Sequence, residues 1–240
     1  MRMRNSLVTA LSFPVAAWLL AASGQAQGQQ PPTVQIPNPG VPQIMTIEGN
    51  FVRAVYNNEA YAIIGYQVTN RSVGDEWVML DLGTTLMEKV PDQTLKREAL
   101  SLDIPDGKTI QMASIQDYRA NEGKLQAMQN RAKVQRDSIN YFPPMANQAC
   151  RIGFFADLSS RAMPYDQVEL SDRRACVGRL YFQIPGGITY GQYFLNIKYE
   201  KSQLRVPFRV FTKEEEKTLS KNYKSIKKQI DETFRPPKKK

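Results

Sequence analysis

Two cysteines and the absence of histidine limit the chemistry that this 240-residue chain can perform. Cys150 and Cys176 lie beside apolar residues typical of β-strands. The two cysteines could supply a reactive thiolate, bind a metal ion or form a disulfide. A catalytic thiolate usually needs a histidine to lower its pKa, and two thiolates alone leave a tetrahedral zinc site half filled. We therefore predict a Cys150–Cys176 disulfide that closes a loop of about 25 residues. Two buried free thiols are the alternative if the chain is not exported.

Carboxylates are the remaining groups for acid–base catalysis, because Ser-His-Asp triads and Cys-His pairs are excluded. Three pairs are close in sequence: Asp75 with Glu76, Asp103 with Asp106, and Asp166 with Glu169. Each pair falls at an expected turn or strand end, where turn conformation alone accounts for aspartate. We predict that the chain is not an enzyme and has no cofactor and no metal. A histidine-free hydrolase that uses carboxylate acid–base chemistry is the alternative.

Residues 1–26 have the three regions of a secretory signal peptide. Arg2 and Arg4 precede an apolar stretch from Leu7 to Ala22, and Gly24-Gln25-Ala26 resembles a small-x-small cleavage site. The apolar stretch is interrupted by polar residues and a proline, so a retained membrane anchor, which needs roughly 18 continuous apolar residues, is the less favoured interpretation. No cysteine follows the cleavage site to accept a lipid. We predict an exported protein, periplasmic or extracellular and not lipid-anchored, in a compartment that permits disulfides.

The rest of the chain divides by composition into a linker, a β-domain and a C-terminal segment. Residues 27–43 are rich in Gln and Pro and predict an extended linker. Residues 44–211 contain about seven short stretches of strand pattern. In 193–199 and 204–210, apolar and polar residues alternate strictly, which predicts antiparallel strands with one buried face. We predict an immunoglobulin-like antiparallel β-sandwich for 44–211, with a partly open barrel as the alternative.

A helical insertion is predicted within the β-domain at about 114–136. Ser114 is placed to cap it, and apolar residues recur at helical spacing up to about Gln135. Gly123 weakens the middle, so we expect a bend or two shorter helices. Tyr141 and Phe142 follow the helix, just before two prolines, and form a candidate aromatic contact patch or a plug at one end of the sandwich.

The C-terminal segment, 212–240, predicts an amphipathic basic helix at about 213–234. Thr212 and Glu215 form a capping box at its start. One face is an apolar stripe, the candidate packing or partner surface: Leu219, Tyr223, Ile226, Ile230 and Phe234. The opposite face is a lysine stripe, the candidate contact with an anionic surface: Lys217, Lys221, Lys224 and Lys228.

Most of the basicity of the chain lies in its C-terminal segment. The formal net charge is +9, and ten Lys or Arg against five Asp or Glu from Lys213 to Lys240 supply +5 of it. Three interpretations are open: the helix packs on the domain with a solvated lysine face, docks on an anionic membrane surface or cell-envelope polymer, or binds an unknown protein. Nucleic acid is not favoured, because no recognition motif accompanies the charge. The sequence predicts an exported, non-enzymatic binding or structural module of the cell envelope.

Overall fold

The computed structural model describes residues 37–156, 158 and 163–234, so the predicted signal peptide and residues 27–36 of the linker lie outside the described residues. Within these ranges the chain is mainly β, with several antiparallel sheets and a C-terminal helix. The strands are β1 Ile44–Gly49, β2 Val52–Tyr56, β3 Ala60–Gly65, β4 Trp77–Leu86, β5 Gln93–Lys96, β6 Leu100–Asp103, β7 Thr109–Gln111, β8 Gln148–Ile152, β9 Gln167–Leu170, β10 Arg174–Gln183, β11 Gly191–Lys198 and β12 Gln203–Val210. The helices are α1 Gln67–Asn70, α2 Ile115–Ala120, α3 Glu122–Val134 and α4 Lys213–Phe234.

The strands form three sheets. The largest has six strands in the order β1-β2-β3-β4-β10-β8, and a four-stranded sheet has the order β12-β11-β6-β7. Strands β5 and β9 make a separate two-stranded sheet. Every pairing is antiparallel except that of β8 with β10, which is parallel.

The six-stranded and four-stranded sheets share one hydrophobic core. The ring of Tyr66, just after β3, lies 5.0 Å from that of Phe208 on β12. The hydroxyls of Thr84 on β4 and Tyr199, which follows β11, are joined by a buried hydrogen bond of 2.8 Å. Contacts of this kind hold one face of each sheet against the other.

The buried face predicted for the last two strands is confirmed, although Asn196 and Pro207 of the opposite face are also buried. The apolar residues of the pattern are all buried: Tyr193, Leu195, Ile197 and Tyr199 on or beside β11, and Leu204, Val206, Phe208 and Val210 on β12. Pro207 lies in β12, which is an edge strand of its sheet. A proline is tolerated there because an edge strand leaves part of its hydrogen-bonding capacity unused.

The predicted fold class is therefore right at the level of a mainly β protein with a C-terminal helix. The immunoglobulin-like arrangement is not confirmed. Four consecutive strands, β1 to β4, form a meander within one sheet, whereas in an immunoglobulin sandwich consecutive strands cross repeatedly between the sheets.

The helical insertion consists of two helices rather than one. The Ser114 hydroxyl accepts a 3.0 Å hydrogen bond from the Asp117 N–H and caps α2. The break falls at Asn121, whose side chain donates to the Asp117 carbonyl (2.9 Å) and ends α2. Glycine at position 123 weakens helix propagation next to this break. The prediction of two shorter helices is confirmed, and α3 ends at Val134, two residues earlier than expected.

Candidate functional site

The capping box predicted for α4 is present. The Thr212 hydroxyl accepts a hydrogen bond from the Glu215 N–H (3.2 Å), and the Glu215 carboxylate accepts one from the Thr212 N–H (3.0 Å). The same carboxylate pairs with Arg209 of β12 at 2.6 Å. These contacts lower the pKa of Glu215, although burial acts in the opposite direction. The start of α4 is thereby fixed to the end of β12.

The apolar stripe of α4 packs on the β-domain. Leu219 and Ile230 are buried, and Tyr223 and Ile226 are half-buried against the core. The Tyr223 hydroxyl donates to the Ile47 carbonyl of β1 (3.3 Å). Phe234 is the last residue of α4, and its side chain lies outside the described part of the structure.

Polar contacts also hold α4 along the edge strand β1. Lys227 donates to the Ile47 carbonyl and pairs with Glu48 at 3.2 Å. At the other end of the helix, Glu216 forms a two-point ion pair with Arg71, which follows α1. The helix therefore has a defined orientation on the domain, with one side turned to solvent.

The lysine stripe lies on this solvent side. All four of its side chains are exposed: Lys217, Lys221, Lys224 and Lys228. Lys228 pairs with Glu232 one turn away at 3.8 Å, and the other three have no ion-pair partner among the described residues. At 1.5 Å of rise per residue, the stripe is about 17 Å long. The structure thus presents a row of charges on a helix that the domain holds in place.

Tyr141 and Phe142, the candidate aromatic patch, have different environments. Phe142 packs on the outer face of the six-stranded sheet, over Gly83 and against Tyr61, whose ring centre is 6.2 Å away. Tyr141 is 45% exposed, and its carbonyl accepts a 2.7 Å hydrogen bond from the Tyr61 hydroxyl. Only Tyr141 presents a largely exposed ring, because Phe142 covers the bare surface that the glycine leaves.

The Cys150–Cys176 disulfide is present. The two cysteines are direct register partners on β8 and β10, and their Cα atoms are 4.1 Å apart. The bridge therefore joins two neighbouring strands at the β8 edge of the six-stranded sheet. Its presence fits an exported protein, since such bonds persist in oxidising compartments.

The three carboxylate pairs suggested by sequence all have cationic partners. The ion pairs are Asp75 with Arg131, Glu76 with Lys124, Asp103 with Arg205, Asp106 with Lys108, Asp166 with Arg97 and Glu169 with Arg174. Two of these six ion pairs involve cations of α3, Arg131 and Lys124.

A cleft of about 580 Å³ lies on the outer face of the six-stranded sheet. Its floor comes from β4, β10 and β8, and its walls from α2, α3 and the segment after α3. Asp81 and Arg179 are cross-strand partners on the floor and form an ion pair at 3.4 Å. Arg151, the register partner of Val177, projects from the same face, and Arg136 lines the cleft from the segment after α3.

Comparison with known protein families, curated proteins and solved structures found no match.

The two carboxylates of the cleft each have a partner within the protein. Burial raises the pKa of Asp81, although Arg179 and Arg136 act in the opposite direction. Asp137 turns toward β2 and accepts a hydrogen bond from the Phe51 N–H at 3.3 Å. Neither Arg136 nor Arg151 has a hydrogen-bond or ion-pair partner in the described ranges. The cleft therefore carries two exposed guanidinium groups that make no hydrogen bond or ion pair with the described residues, and Arg136 also acts on the nearby carboxylate of Asp81 through its charge.

Sequence reasoning missed this cleft because its residues are far apart in the chain. Arg136 falls at the end of the helix predicted at about 114–136, and Arg151 directly follows Cys150 in the sequence. Asp81 stands inside an otherwise apolar run of β4, Trp77 to Leu82. A charged residue within a buried strand needs a partner of opposite charge or a hydrogen-bond donor. The position of Asp81 was therefore the one sign in the sequence that pointed to a polar site on this strand.

Metal-binding clusters and membrane-spanning helices are both absent from the described ranges. No three Cys, Asp or Glu side chains lie close enough together there to hold a metal ion. No helix among these residues has both the length and the apolar character needed to span a bilayer.

Proposed function

We propose that the chain is an exported, non-enzymatic binding module of the cell envelope, which docks on an anionic surface through the lysine stripe of α4. One observation carries the proposal: the apolar stripe of α4 is committed to packing on the domain, while the lysine stripe remains exposed. The immunoglobulin-like class, the signal peptide and the periplasmic or extracellular location remain predictions within this proposal, and the disulfide supports export.

Electrostatics is the expected basis of docking. Each basic residue close to an anionic membrane contributes about 1 kcal/mol. Because Leu219 and Ile230 are buried in the protein, they are not available for insertion into lipid. Binding should therefore weaken as salt rises, since exposed charges are screened over about 10 Å at 0.1 M salt. The six residues after α4 add four more cationic side chains to the sequence.

The test is sedimentation with lipid vesicles. We expect protein purified from the exported fraction to sediment with vesicles that contain phosphatidylglycerol and not with vesicles of phosphatidylcholine alone. The stripe variant carries Lys217→Gln, Lys221→Gln, Lys224→Gln and Lys228→Gln. Four lost contacts of about 1 kcal/mol each should lower its affinity for anionic vesicles by more than about 100-fold.

A matched control variant separates position from net charge. It removes four exposed lysines outside α4: Lys89→Gln, Lys96→Gln, Lys198→Gln and Lys201→Gln. This variant should keep most of the affinity, and both variants should keep the wild-type melting temperature. Equal binding by the two variants would contradict the proposal. If acidic polysaccharide from the envelope displaces the protein from the vesicles, the polymer and the membrane bind to the same lysine stripe.

A further inference from the structure

We infer that the cleft on the outer face of the six-stranded sheet is a binding site for a small organic anion, a molecule with a carboxylate or phosphate group joined to an apolar body. This inference is independent of docking through α4. It rests on the volume of the cleft, the placement of three arginines and the aromatic character of the wall behind them.

The size of the cleft suits a small molecule. Its volume of about 580 Å³ lies within the roughly 300–1,000 Å³ typical of ligand pockets. The cleft is bordered by the sheet, two helices and the segment from Arg136 to Phe142. The expected ligand is therefore a single small organic acid.

Two of the three arginines of the cleft, Arg136 and Arg151, supply the anion-binding chemistry. Arg179 is neutralised by Asp81, and the two are largely shielded from water, with side-chain exposures of 24% and 10%. Arg136 and Arg151 are exposed and make no hydrogen bond or ion pair with the described residues, so their hydrogen-bond donors are available. A guanidinium presents its donors as a planar fork that matches two oxygens of a carboxylate or phosphate.

The Asp81–Arg179 pair fixes the floor on which the anion would lie. Strand pairing places Arg179 directly opposite Asp81, and Arg151 opposite Val177, two residues away on β10. Since alternate strand residues share a face, Arg151 and Arg179 flank the exposed side chain of Val177. The sheet itself therefore sets the spacing of these two guanidinium groups.

Aromatic side chains form the apolar wall of the cleft. The rings of Tyr118, Phe155 and Tyr181 contact one another with centres 4.8–5.1 Å apart. Gln129 of α3 donates to both tyrosine hydroxyls, at 2.8 and 2.9 Å, and so holds these rings in position. These rings are almost fully buried, and together with the exposed side chain of Val177 they give the cleft an apolar lining. An apolar lining beside cationic groups favours a ligand with an apolar body over a bare inorganic ion.

Calorimetric titration with simple probes tests the inference. Benzoate and phenyl phosphate represent the two anion classes, benzyl alcohol is the neutral analogue, and inorganic phosphate lacks the apolar body. We expect at least one aromatic anion to bind more tightly than both benzyl alcohol and inorganic phosphate. Tighter binding of benzoate would identify the carboxylate as the preferred group, and tighter binding of phenyl phosphate would identify the phosphate. Failure of both aromatic anions to bind at millimolar concentration would overturn the inference.

Variants assign binding to the cleft. The double variant Arg136→Gln with Arg151→Gln should lower the affinity for the better-binding aromatic anion by at least about tenfold. Both side chains are exposed and make no hydrogen bond or ion pair with the described residues. Arg119→Gln with Arg173→Gln removes two exposed arginines outside the cleft and should leave affinity unchanged. Equal effects of the two double variants would overturn the assignment.

A second pair of variants adds a carboxylate instead of removing a guanidinium. Val177→Glu places an acid between Arg151 and Arg179 and should abolish binding, because the new carboxylate occupies the site of the ligand anion. Val73→Glu makes the same charge change at another partly exposed valine and should have no effect. Retention of the melting temperature shows that each variant is folded, and undiminished affinity in Val177→Glu would contradict the inference.

Discussion

Tyr66 shows how one residue connects the sheets and makes stability depend on pH. It lies between β3 and α1, with its ring 5.6 Å from that of Phe51 and 5.0 Å from that of Phe208. Its hydroxyl donates to the Asn50 carbonyl at 3.3 Å. Burial raises the pKa of Tyr66 to about 12, with a smaller opposing effect from Arg53.

The raised pKa of Tyr66 predicts a loss of stability in alkali. An unfolded tyrosine loses its proton near pH 10.0, whereas folded Tyr66 keeps its proton to about pH 12. The contribution of the protonated Tyr66 side chain to the free energy of unfolding is complete below pH 10 and is lost as the pH rises towards 12. Between these values, Tyr66→Phe should reduce the slope of unfolding free energy against pH by about 1.4 kcal/mol per pH unit.

Urea unfolding at a series of pH values measures this slope. Tyr190→Phe is the control, because the Tyr190 side chain is 52% exposed in the folded protein. The control should keep the wild-type slope. An unchanged slope in Tyr66→Phe would show that the phenol does not control alkaline unfolding.

At the scale of elements, the disulfide secures an edge strand. Strand β8 pairs only with β10 in its sheet, in the parallel orientation. The bond joins residues 26 positions apart in sequence. On the chain-entropy model, closing a loop of this length stabilises a fold by about 3 kcal/mol.

Removal of the disulfide should therefore lower stability. We expect Cys150→Ala with Cys176→Ala to reduce the free energy of unfolding by about 3 kcal/mol, measured by urea denaturation. Reductant should destabilise the wild type by a similar amount and should have no further effect on the double variant. Equal stability of the oxidised wild type and the variant would show that pairing alone holds β8.

At the scale of the whole molecule, α4 belongs to the structure of the β-domain as well as to the proposed docking surface. It covers the edge strand β1, buries Leu219 and Ile230, and forms ion pairs through Glu216 and Lys227. Its two faces therefore have separable roles. Packing depends on the apolar stripe, and docking depends on the lysine stripe.

Truncation after Val210 should unfold or strongly destabilise the protein. Full burial of a Leu or Ile side chain contributes about 1.5–3 kcal/mol. The loss of Leu219 and Ile230 should therefore lower the free energy of unfolding by about 4 kcal/mol, and exposure of the edge strand β1 should lower it further. Thermal and urea unfolding measure the effect. The lysine-stripe variant is the control, since it keeps every packing contact of α4. Full stability of the truncated chain would show that α4 is not part of the core.

Features that depend on short-range patterns were predictable from the amino-acid sequence alone. The alternation in β11 and β12, the capping box of α4 and the break after α2 were predictable because side-chain direction and helix capping are set by neighbouring residues. The disulfide followed from elimination, since only two cysteines are present and there is no histidine. The mainly β class followed from the number of alternating stretches.

The strand order and the cleft became evident only in the folded protein. Asp81, Arg151 and Arg179 come from three separate strands, and the register of β4, β10 and β8 brings them to one face. The local pattern does not show whether Phe142 or Tyr141 turns inward, because the choice depends on the bare surface at Gly83. Pairing across long stretches of chain is set by the fit of whole sheets to one core, and that fit is not encoded in any single stretch of sequence.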